Sequence, residues 1–229
     1  MEGPRLVRDA VAAGWVVERQ FVAPGAEPVD GSGGLAVGLV HPLAPGVAER
    51  VSHVQSSTGL LAIVSVREPS PDLLDRAGFV VVADRVADPG NLGTIWRSAE
   101  AAGADAVVVT PGTVDTTSPK VVRSSAGACF HVPAVMASLA DVRAGGLGLI
   151  GTSSHRGSSH VATDWSGRIA IVVGNEAAGL DDDAPVDRWV RIEHCGRSES
   201  LNVSMAATVL CFEAARQRAD DGLPAAPTD

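Results

Sequence analysis

The chain has 229 residues, of which 45% are hydrophobic and 20% charged, so it can bury a sizeable core and is not an intrinsically disordered protein. Its formal net charge is −9, which excludes the global basic surface that most nucleic-acid-binding proteins carry, although a local arginine patch remains compatible with it. Apolar runs such as residues 79–83 are far too short to span a bilayer, so we expect no membrane partner.

Targeting signals and cysteine usage both indicate a reducing compartment. Residues 1–5 contain no apolar core of a signal peptide, so we expect a cytoplasmic protein. The three cysteines, Cys129, Cys195 and Cys211, show no C-x-x-C spacing. We therefore expect neither a disulfide framework nor a metal site, and we predict buried free thiols.

Residues 1–70 are predicted to form a first, small domain. Leu6, Val7, Ala10 and Val11 recur at helical spacing, and Gly14 follows them as a helix terminator. Turns rich in proline and glycine separate three predicted strands, at residues 19–23, 35–40 and 60–66. The two prolines of residues 68–71 favour an extended linker, which predicts a domain boundary there.

Residues 71–229 are predicted to form a second domain in which strands and helices alternate. Strands are predicted at residues 79–83, 106–109, 147–151, 169–173 and 189–192, and helices at residues 92–102, 137–143 and 201–218. Short apolar strands between helices are typical of an α/β fold with a mostly parallel sheet that helices cover on both faces. The proline-containing residues 220–229 are predicted to be a frayed tail.

Residues 146–151 match G-x-G-x-x-G, the fingerprint of dinucleotide-binding folds. That fingerprint requires a strand before the glycines and a helix after them. Here a predicted helix precedes the glycines, a strand contains them, and a loop containing His155 and Arg156 follows. The context therefore argues against a nucleotide-dependent dehydrogenase.

Three polar turns follow predicted strands, at the edge where ligands bind in open α/β sheets. In the first, Pro89 and Gly90 form a turn, Asn91 occupies a helix-cap position, and Arg97 lies nearly two helical turns further on, where it could also be an ordinary solvated residue. In the second, residues 173–180, glycines allow close backbone approach and two polar side chains stand at a strand end, although an ordinary capped turn has the same composition. In the third, residues 200–204, a serine or an asparagine could cap the following helix.

Together these turns resemble the three motifs, in order, of the SpoU/TrmH family of RNA ribose 2′-O-methyltransferases, which belongs to the SPOUT superfamily. The resemblance covers about residues 78–217 and includes a fourth block at residues 119–128. Residues 2–7 and 57–62 resemble the small α/β ribosomal-protein-like RNA-binding domain that often precedes it. The resemblance implies an RNA substrate-binding domain at 1–70, a methyltransferase domain with a deep trefoil knot at 71–229, and a homodimer.

The implied reaction moves the methyl group of S-adenosyl-L-methionine to a ribose 2′-hydroxyl of structured RNA, with ribosomal RNA favoured over transfer RNA. The sulfonium methyl is already activated, so no metal is expected, and positioning is the main contribution of the site. A catalytically silent protein that binds RNA or assists ribosome assembly is the alternative. It is suggested by the acidic balance and by Glu193 and His194, which stand where the family usually has proline and methionine before the third motif.

The resemblance assigns roles to eleven residues. Those expected to act on the substrate are Asn91, Arg97, Glu176, Ser200 and Asn202. Those expected to hold the cofactor are Gly174, Asn175, Gly179, Ile192 and Leu201, with Gly174 leaving room that a side chain would fill, and Arg123 is expected to contact RNA phosphate. A guanidinium stays protonated below a pH of about 12. Arg97 is therefore expected to orient the hydroxyl and stabilise negative charge, or to act as the base only if RNA and cofactor perturb it, whereas Glu176 is expected mainly to anchor its motif.

Overall fold

The computed structural model describes residues 1–30, 37–52 and 57–220. The chain divides into two compact units, Met1–Glu68 and Pro69–Asp229. Within the described residues, no helix combines the length and apolar character needed to cross a bilayer.

The described residues of the first unit form a three-stranded sheet and two helices. Its elements are α1 (Pro4–Ala12), β1 (Val17–Val22), β2 (Val37–Pro42), α2 (Val47–Val51) and β3 (Leu60–Val64). The central strand β1 pairs with β2 in parallel and with β3 antiparallel. Val7 and Val11 of α1 pack into one apolar cluster with residues of β1 and β3, which explains the helical spacing of these residues in the sequence.

The predicted helix and strands of this unit are present with shifted bounds. The structure places β1 two residues earlier than the prediction and ends β3 at Val64. Residues 35 and 36 of the predicted strand 35–40 lie outside the described residues. Helix α2 has only five residues, too few to produce a periodic signal, and the sequence does not predict it.

The second unit contains seven strands and five α-helices within its described residues. They are α3 (Leu73–Arg76), β4 (Phe79–Ala83), α4 (Pro89–Ala101), β5 (Ala106–Val109), α5 (Pro119–Ser124), β6 (Ala134–Met136), α6 (Leu139–Ala144), β7 (Gly148–Thr152), β8 (Ser158–Ser159), β9 (Ile169–Val173), β10 (Arg188–Arg191) and α7 (Val203–Asp220).

The seven strands form one parallel sheet in the order β6-β5-β4-β9-β7-β10-β8. Every residue of β4, β5 and β9 is buried, as expected for central strands covered on both faces. The prediction of a parallel α/β sheet is therefore confirmed. Since all strands run the same way, their carboxyl ends meet at one edge, and the loops that follow β4, β7 and β9 start there.

Three predictions for this unit need correction. Residues 134–136 form the edge strand β6, and the helix predicted from residue 137 begins only at Leu139, where Ser138 and Asp141 form a capping box. Asp220 is the last residue of α7 and not part of a tail, and residues 221–229 lie outside the described residues. The sequence also does not predict α3, α5 and β8, each of which has six residues or fewer.

The glycines of residues 146–151 lie where the sequence context places them. Gly146 is in a turn with φ of 83°, and Gly148 and Gly151 belong to β7. The residues after β7 form a loop and not a helix. The rejection of a dinucleotide fingerprint is confirmed, because a loop follows the glycines and no helix amino terminus is positioned there to bind a phosphate.

Candidate active site

Glu176, in the loop after β9, is at the centre of the site. Its carboxylate accepts hydrogen bonds from the loop after β4. Its Oε1 accepts hydrogen bonds from the Asp88 backbone N–H at 2.9 Å and from Asn91 Nδ2 at 3.0 Å. Its Oε2 accepts from the Ala87 backbone N–H at 3.1 Å and from Asn175 Nδ2 at 3.4 Å. Four donors therefore converge on one side chain and fix two loops against each other.

The segment before α7 joins this network through a second asparagine. Asn202 Nδ2 donates to Asn91 Oδ1 at 3.0 Å, while Asn202 Oδ1 accepts from the Ser204 backbone N–H at 2.9 Å. Asn202 is thus the residue that caps α7, and Ser200 is not. We call Asn91, Glu176 and Asn202 the clamp, because they tie the three loops together.

The turn before α4 differs from the prediction in one respect. Asp88 is the cap, since its side chain accepts from the Asn91 backbone N–H at 2.9 Å. Pro89 and Gly90 are the first residues of α4, where proline is favoured because its missing N–H would have no helical partner. The side chain of Asn91 is thereby left free to reach Glu176 and Asn202.

The electrostatics of the clamp suit an anchor better than a base. Partial burial raises the pKa of Glu176, but the hydrogen bonds from Asn91, Asp88 and Ala87 outweigh it, and the pKa lies below its ordinary value. A carboxylate with a lowered pKa is ionised at neutral pH and is a weak proton acceptor.

The loop after β9 is held in a tight turn. The Asn175 and Gly179 backbones exchange two hydrogen bonds, and Asn175 Oδ1 accepts from the Ala177 and Ala178 backbones. A Cβ on Gly174 would lie 2.3 Å from the Gly179 carbonyl carbon. A Cβ at Gly174 is therefore excluded by the backbone of its own loop, and the expectation that Gly174 also leaves space for the cofactor stays a prediction.

A cavity of about 410 Å³ opens between the loops, a size usual for small-molecule sites. Seven of the eleven predicted residues line it: Gly174, Asn175, Glu176, Gly179, Ile192, Ser200 and Leu201. Every residue predicted to hold the cofactor is in this set. Three substrate residues, Asn91, Arg97 and Asn202, and the RNA residue Arg123 do not line the cavity.

Arg97 is exposed on α4 and makes no hydrogen bond or ion pair within the described part of the chain. Its neighbour Ser98 contacts Thr208 of α7, with 2.6 Å between the hydroxyl oxygens. Arg123 is half-buried, and its Nη1 is buried with no hydrogen-bond partner among the described residues. Neither guanidinium is engaged in an intramolecular role.

The sequence does not single out one wall of the cavity. The Arg156 guanidinium lies 3.6 Å from the centroid of the Trp189 ring, and its Nη2 pairs with Asp182 Oδ1 at 3.2 Å. All three residues line the cavity, as do His155, His194 and Glu199. His155 and Arg156 are expected from the sequence to be solvated. Their position after β7, at the carboxyl edge of the sheet, is the signal that identifies them.

The described part of the chain contains no group of three or more histidine, cysteine, aspartate or glutamate residues arranged to hold a metal. The three thiols are free, as predicted, but only Cys129 and Cys211 are buried. Cys195 is exposed, because it lies in the loop between β10 and α7 and not in an apolar element.

A parallel α/β sheet with a polar-rimmed cavity at its carboxyl edge defines a protein that binds a small ligand through its loops. The profile of the SpoU rRNA Methylase family matches residues 78–212, which include the clamp and most of the cavity wall. The chain belongs to this family.

Individual relatives agree with this assignment. The chain is 32% identical over 219 residues, 93% of its length and 86% of the relative's, to "23S rRNA (guanosine(2553)-2'-O)-methyltransferase RlmP" of Bacillus subtilis. The structure of the SpoU methyltransferase AviRb from Streptomyces viridochromogenes, in complex with AdoMet, superposes with a TM-score of 0.83, 32% identity and coverage of 96% of this chain and 89% of that one. The structure of an AdoMet-bound rRNA methyltransferase from Sinorhizobium meliloti superposes with a TM-score of 0.79 and 29% identity, and the superposition covers 94% of this chain and 86% of that one.

Proposed function

We propose that this protein transfers the methyl group of S-adenosyl-L-methionine to a ribose 2′-hydroxyl of ribosomal RNA. The observation that carries the proposal is the clamp, which joins the three family motifs beside a cavity that seven predicted residues line. A relative named as a 23S rRNA 2′-O-methyltransferase and neighbours solved with AdoMet support it. A cytoplasmic location is part of the proposal, and the ribosomal RNA substrates named for the relatives support it.

The walls of the cavity fit a nucleoside-containing cofactor. Leu180, Ile192 and Leu201 offer apolar surface, and the loop of Gly174 and Gly179 offers backbone polar groups at close range. When bound, the cofactor supplies a methyl group activated by its sulfonium, so the protein has to orient the hydroxyl and does not have to activate the donor.

Ser200, which lines the cavity, is the hydroxyl donor that we assign to substrate orientation. The 2′-hydroxyl gives up its proton to water, and Arg97 is assigned to the negative charge that then develops on the ribose oxygen. The clamp residues Asn91, Glu176 and Asn202 hold these loops in place and act on the substrate only indirectly. A guanidinium stabilises an oxyanion without losing its proton. Because Arg97 does not line the cavity of its own chain, it reaches the ribose only when RNA or a second copy completes the site.

A homodimer is part of this proposal. Met205 and Phe212 of α7 are 61% and 51% exposed, and with Val209 they form an apolar stripe at helical spacing. The contact between Ser98 and Thr208 puts the turn of α4 that carries Arg97 beside this helix. Sedimentation equilibrium should give a dimer for the wild type and a shift to monomer for the double variant M205D/F212D, and a wild-type monomer at all concentrations would refute the dimer.

Three further assignments rest on family membership. We assign RNA substrate binding to residues 1–68 and an RNA phosphate contact to Arg123, whose buried Nη1 lacks a partner in the described chain. Photo-crosslinking of the full chain to an rRNA fragment should yield peptides from both regions, and their absence would refute this. We also assign a trefoil knot to the C-terminal half. Pulling the chain by its ends in an optical trap should leave it shorter than its contour length, which an unknotted chain would reach.

The activity is tested with ribosomal RNA, transfer RNA and labelled S-adenosyl-L-methionine. We expect methyl transfer to rRNA, with Arg97→Ala reducing the rate by about a hundredfold, as for the loss of one charge-stabilising donor, while cofactor affinity stays within about twofold. Arg76→Ala is the matched control, because Arg76 lies in α3 before β4, at the opposite edge of the sheet, and pairs with Asp72.

Undiminished transfer by Arg97→Ala would remove Arg97 from the chemistry. Cofactor binding without transfer to any RNA would favour the catalytically silent protein. Transfer to tRNA alone would change the substrate and leave the site intact.

A further inference from the structure

The charges that line the cavity are unevenly compensated. Among its carboxylates, Glu176 accepts four hydrogen bonds, from the Ala87 and Asp88 backbones and from the Asn91 and Asn175 side chains. Asp182 pairs with Arg156, the only arginine or lysine in the described lining. Glu199 also lines the cavity, yet it makes no hydrogen bond or ion pair within the described residues. One negative charge therefore faces the cavity without a protein partner.

The backbone fixes the position of Glu199. The Ser198 hydroxyl donates to the Ser200 carbonyl oxygen at 2.8 Å, which closes a short turn around Glu199, and the next residues lead to the α7 cap at Asn202. The nearby Glu193 differs, because it pairs with Arg191 at 3.6 Å and does not line the cavity of about 410 Å³. Glu199 is thus the carboxylate of this segment that is free to act on a ligand.

The ligands of the proposed reaction differ in charge. The methyl donor carries a sulfonium, an ammonium and a carboxylate, whereas the demethylated product has lost the sulfonium charge and is neutral overall. An unpaired carboxylate attracts the donor more strongly than the product, because the ammonium and carboxylate are common to both ligands and only the donor has the additional sulfonium charge.

We propose that Glu199 is a specificity-determining residue that makes the cavity prefer the cationic methyl donor to the neutral product. The proposal rests on the proposed function, since it presumes that the cavity holds this cofactor. Glu199 counteracts product inhibition, because S-adenosylhomocysteine leaves a pocket whose remaining charge favours its replacement by the donor.

The test is a set of binding affinities measured by calorimetry on the whole chain without RNA. Three ligands are compared: S-adenosyl-L-methionine, S-adenosylhomocysteine, and sinefungin, which carries an ammonium where the donor carries the methylsulfonium. The variant is Glu199→Gln, which preserves shape and removes the charge, and the control is Asp183→Asn, which removes an exposed charge outside the cavity.

For Glu199→Gln we expect the affinity for the donor and for sinefungin to fall about threefold to fivefold, the size typical of a partly exposed charge pair, and the affinity for the product to change less than about twofold. Asp183→Asn should change the affinities for all three ligands only slightly and by the same factor. In the wild type, raising the salt concentration should weaken donor binding more than product binding, because salt screens the attraction. If salt weakens the binding of donor and product equally, the proposal is overturned, and this result does not require the variant to fold.

Equal losses for donor and product, or no loss, would overturn the role of Glu199 and leave the proposed function intact. If the wild type binds none of the three ligands, both the proposed function and this inference are refuted.

Discussion

Replacing Glu176 with glutamine is the change that most directly tests the clamp. Glutamine has nearly the same shape but keeps only one acceptor oxygen and places an NH₂ group where the other stood. Each oxygen of Glu176 accepts from one backbone N–H and one side-chain amide. Whichever oxygen is replaced, two donors lose their acceptor and face a third donor.

The magnitude follows from the exposure of these groups. A buried donor left unpaired costs about 1–3 kcal/mol, and Glu176 is exposed, so water takes over part of the lost bonding. We expect a loss of about 1–2 kcal/mol in the free energy of unfolding. For a chain of this size that corresponds to a fall in Tm of roughly 2–8 °C. Cofactor affinity should fall with it, because Glu176 and its loop line the cavity.

The penalty should depend on pH in a definite direction. The folded-state pKa of Glu176 is lowered from its ordinary value of 4.5, so the stability that its charge contributes is fully present above pH 4.5 and is lost as the pH falls through the lower folded-state pKa. Glutamine does not titrate. The difference in Tm between wild type and Glu176→Gln should therefore be constant near neutrality and should shrink in acid, below pH 4.5.

The assay is thermal unfolding followed by circular dichroism at several pH values, with calorimetry of cofactor binding at pH 7. Glu100→Gln is the matched control, because Glu100 is an exposed residue of α4 whose side chain makes no hydrogen bond within the described residues. A Glu176→Gln variant that melts with the control and binds cofactor normally would refute the reasoning. A penalty that persists undiminished in acid would show that charge is not its cause.

Two further outcomes are expected from the geometry. Gly174→Ala should lower Tm and weaken cofactor binding, measured by calorimetry, by about tenfold or more, because its Cβ would overlap the Gly179 backbone. The control Gly148→Ala should have a mild effect, because its Cβ meets only a carbonyl oxygen at 3.6 Å. Equal effects of the two variants would contradict this reasoning. Of the thiols, only exposed Cys195 should react quickly with a disulfide reagent, since burial raises the pKa of Cys129 and raises that of Cys211 to about 12. Cys195→Ser should abolish the fast phase, and a fast phase that survives it would contradict the burial of the other two.

The sequence located the second unit well because its signals are local. Apolar runs such as residues 79–83 and 169–173 are buried on both faces, so their composition alone indicates central strands of a parallel sheet. Short elements such as β6 and α5 were beyond this reasoning, because three to six residues cannot display a period. Their place is set by pairing with β5 and by packing against α4.

The candidate site divides in the same way. The three polar turns, their order and their resemblance to one family were all visible in the chain, and so were seven of the residues that line the cavity. The role of Asn91 was not: it contacts Glu176, 85 residues away, and Asn202, 111 residues away, and so belongs to a clamp. Arg156 was likewise judged by its polar neighbours, which are typical of solvated loops, and no motif in the sequence singled out Glu199.

The amino-acid sequence by itself determined the strand-and-helix alternation, the family and the three loops that carry its motifs, because each depends on residues close together in the chain. Only the tertiary structure decided which side chains form hydrogen bonds between the loops and which can contact a ligand. The physical reason is that hydrogen-bond partners and unpaired charges are settled by the order of strands in the sheet, which brings distant loops to one edge, where Glu199 has no partner among the described residues.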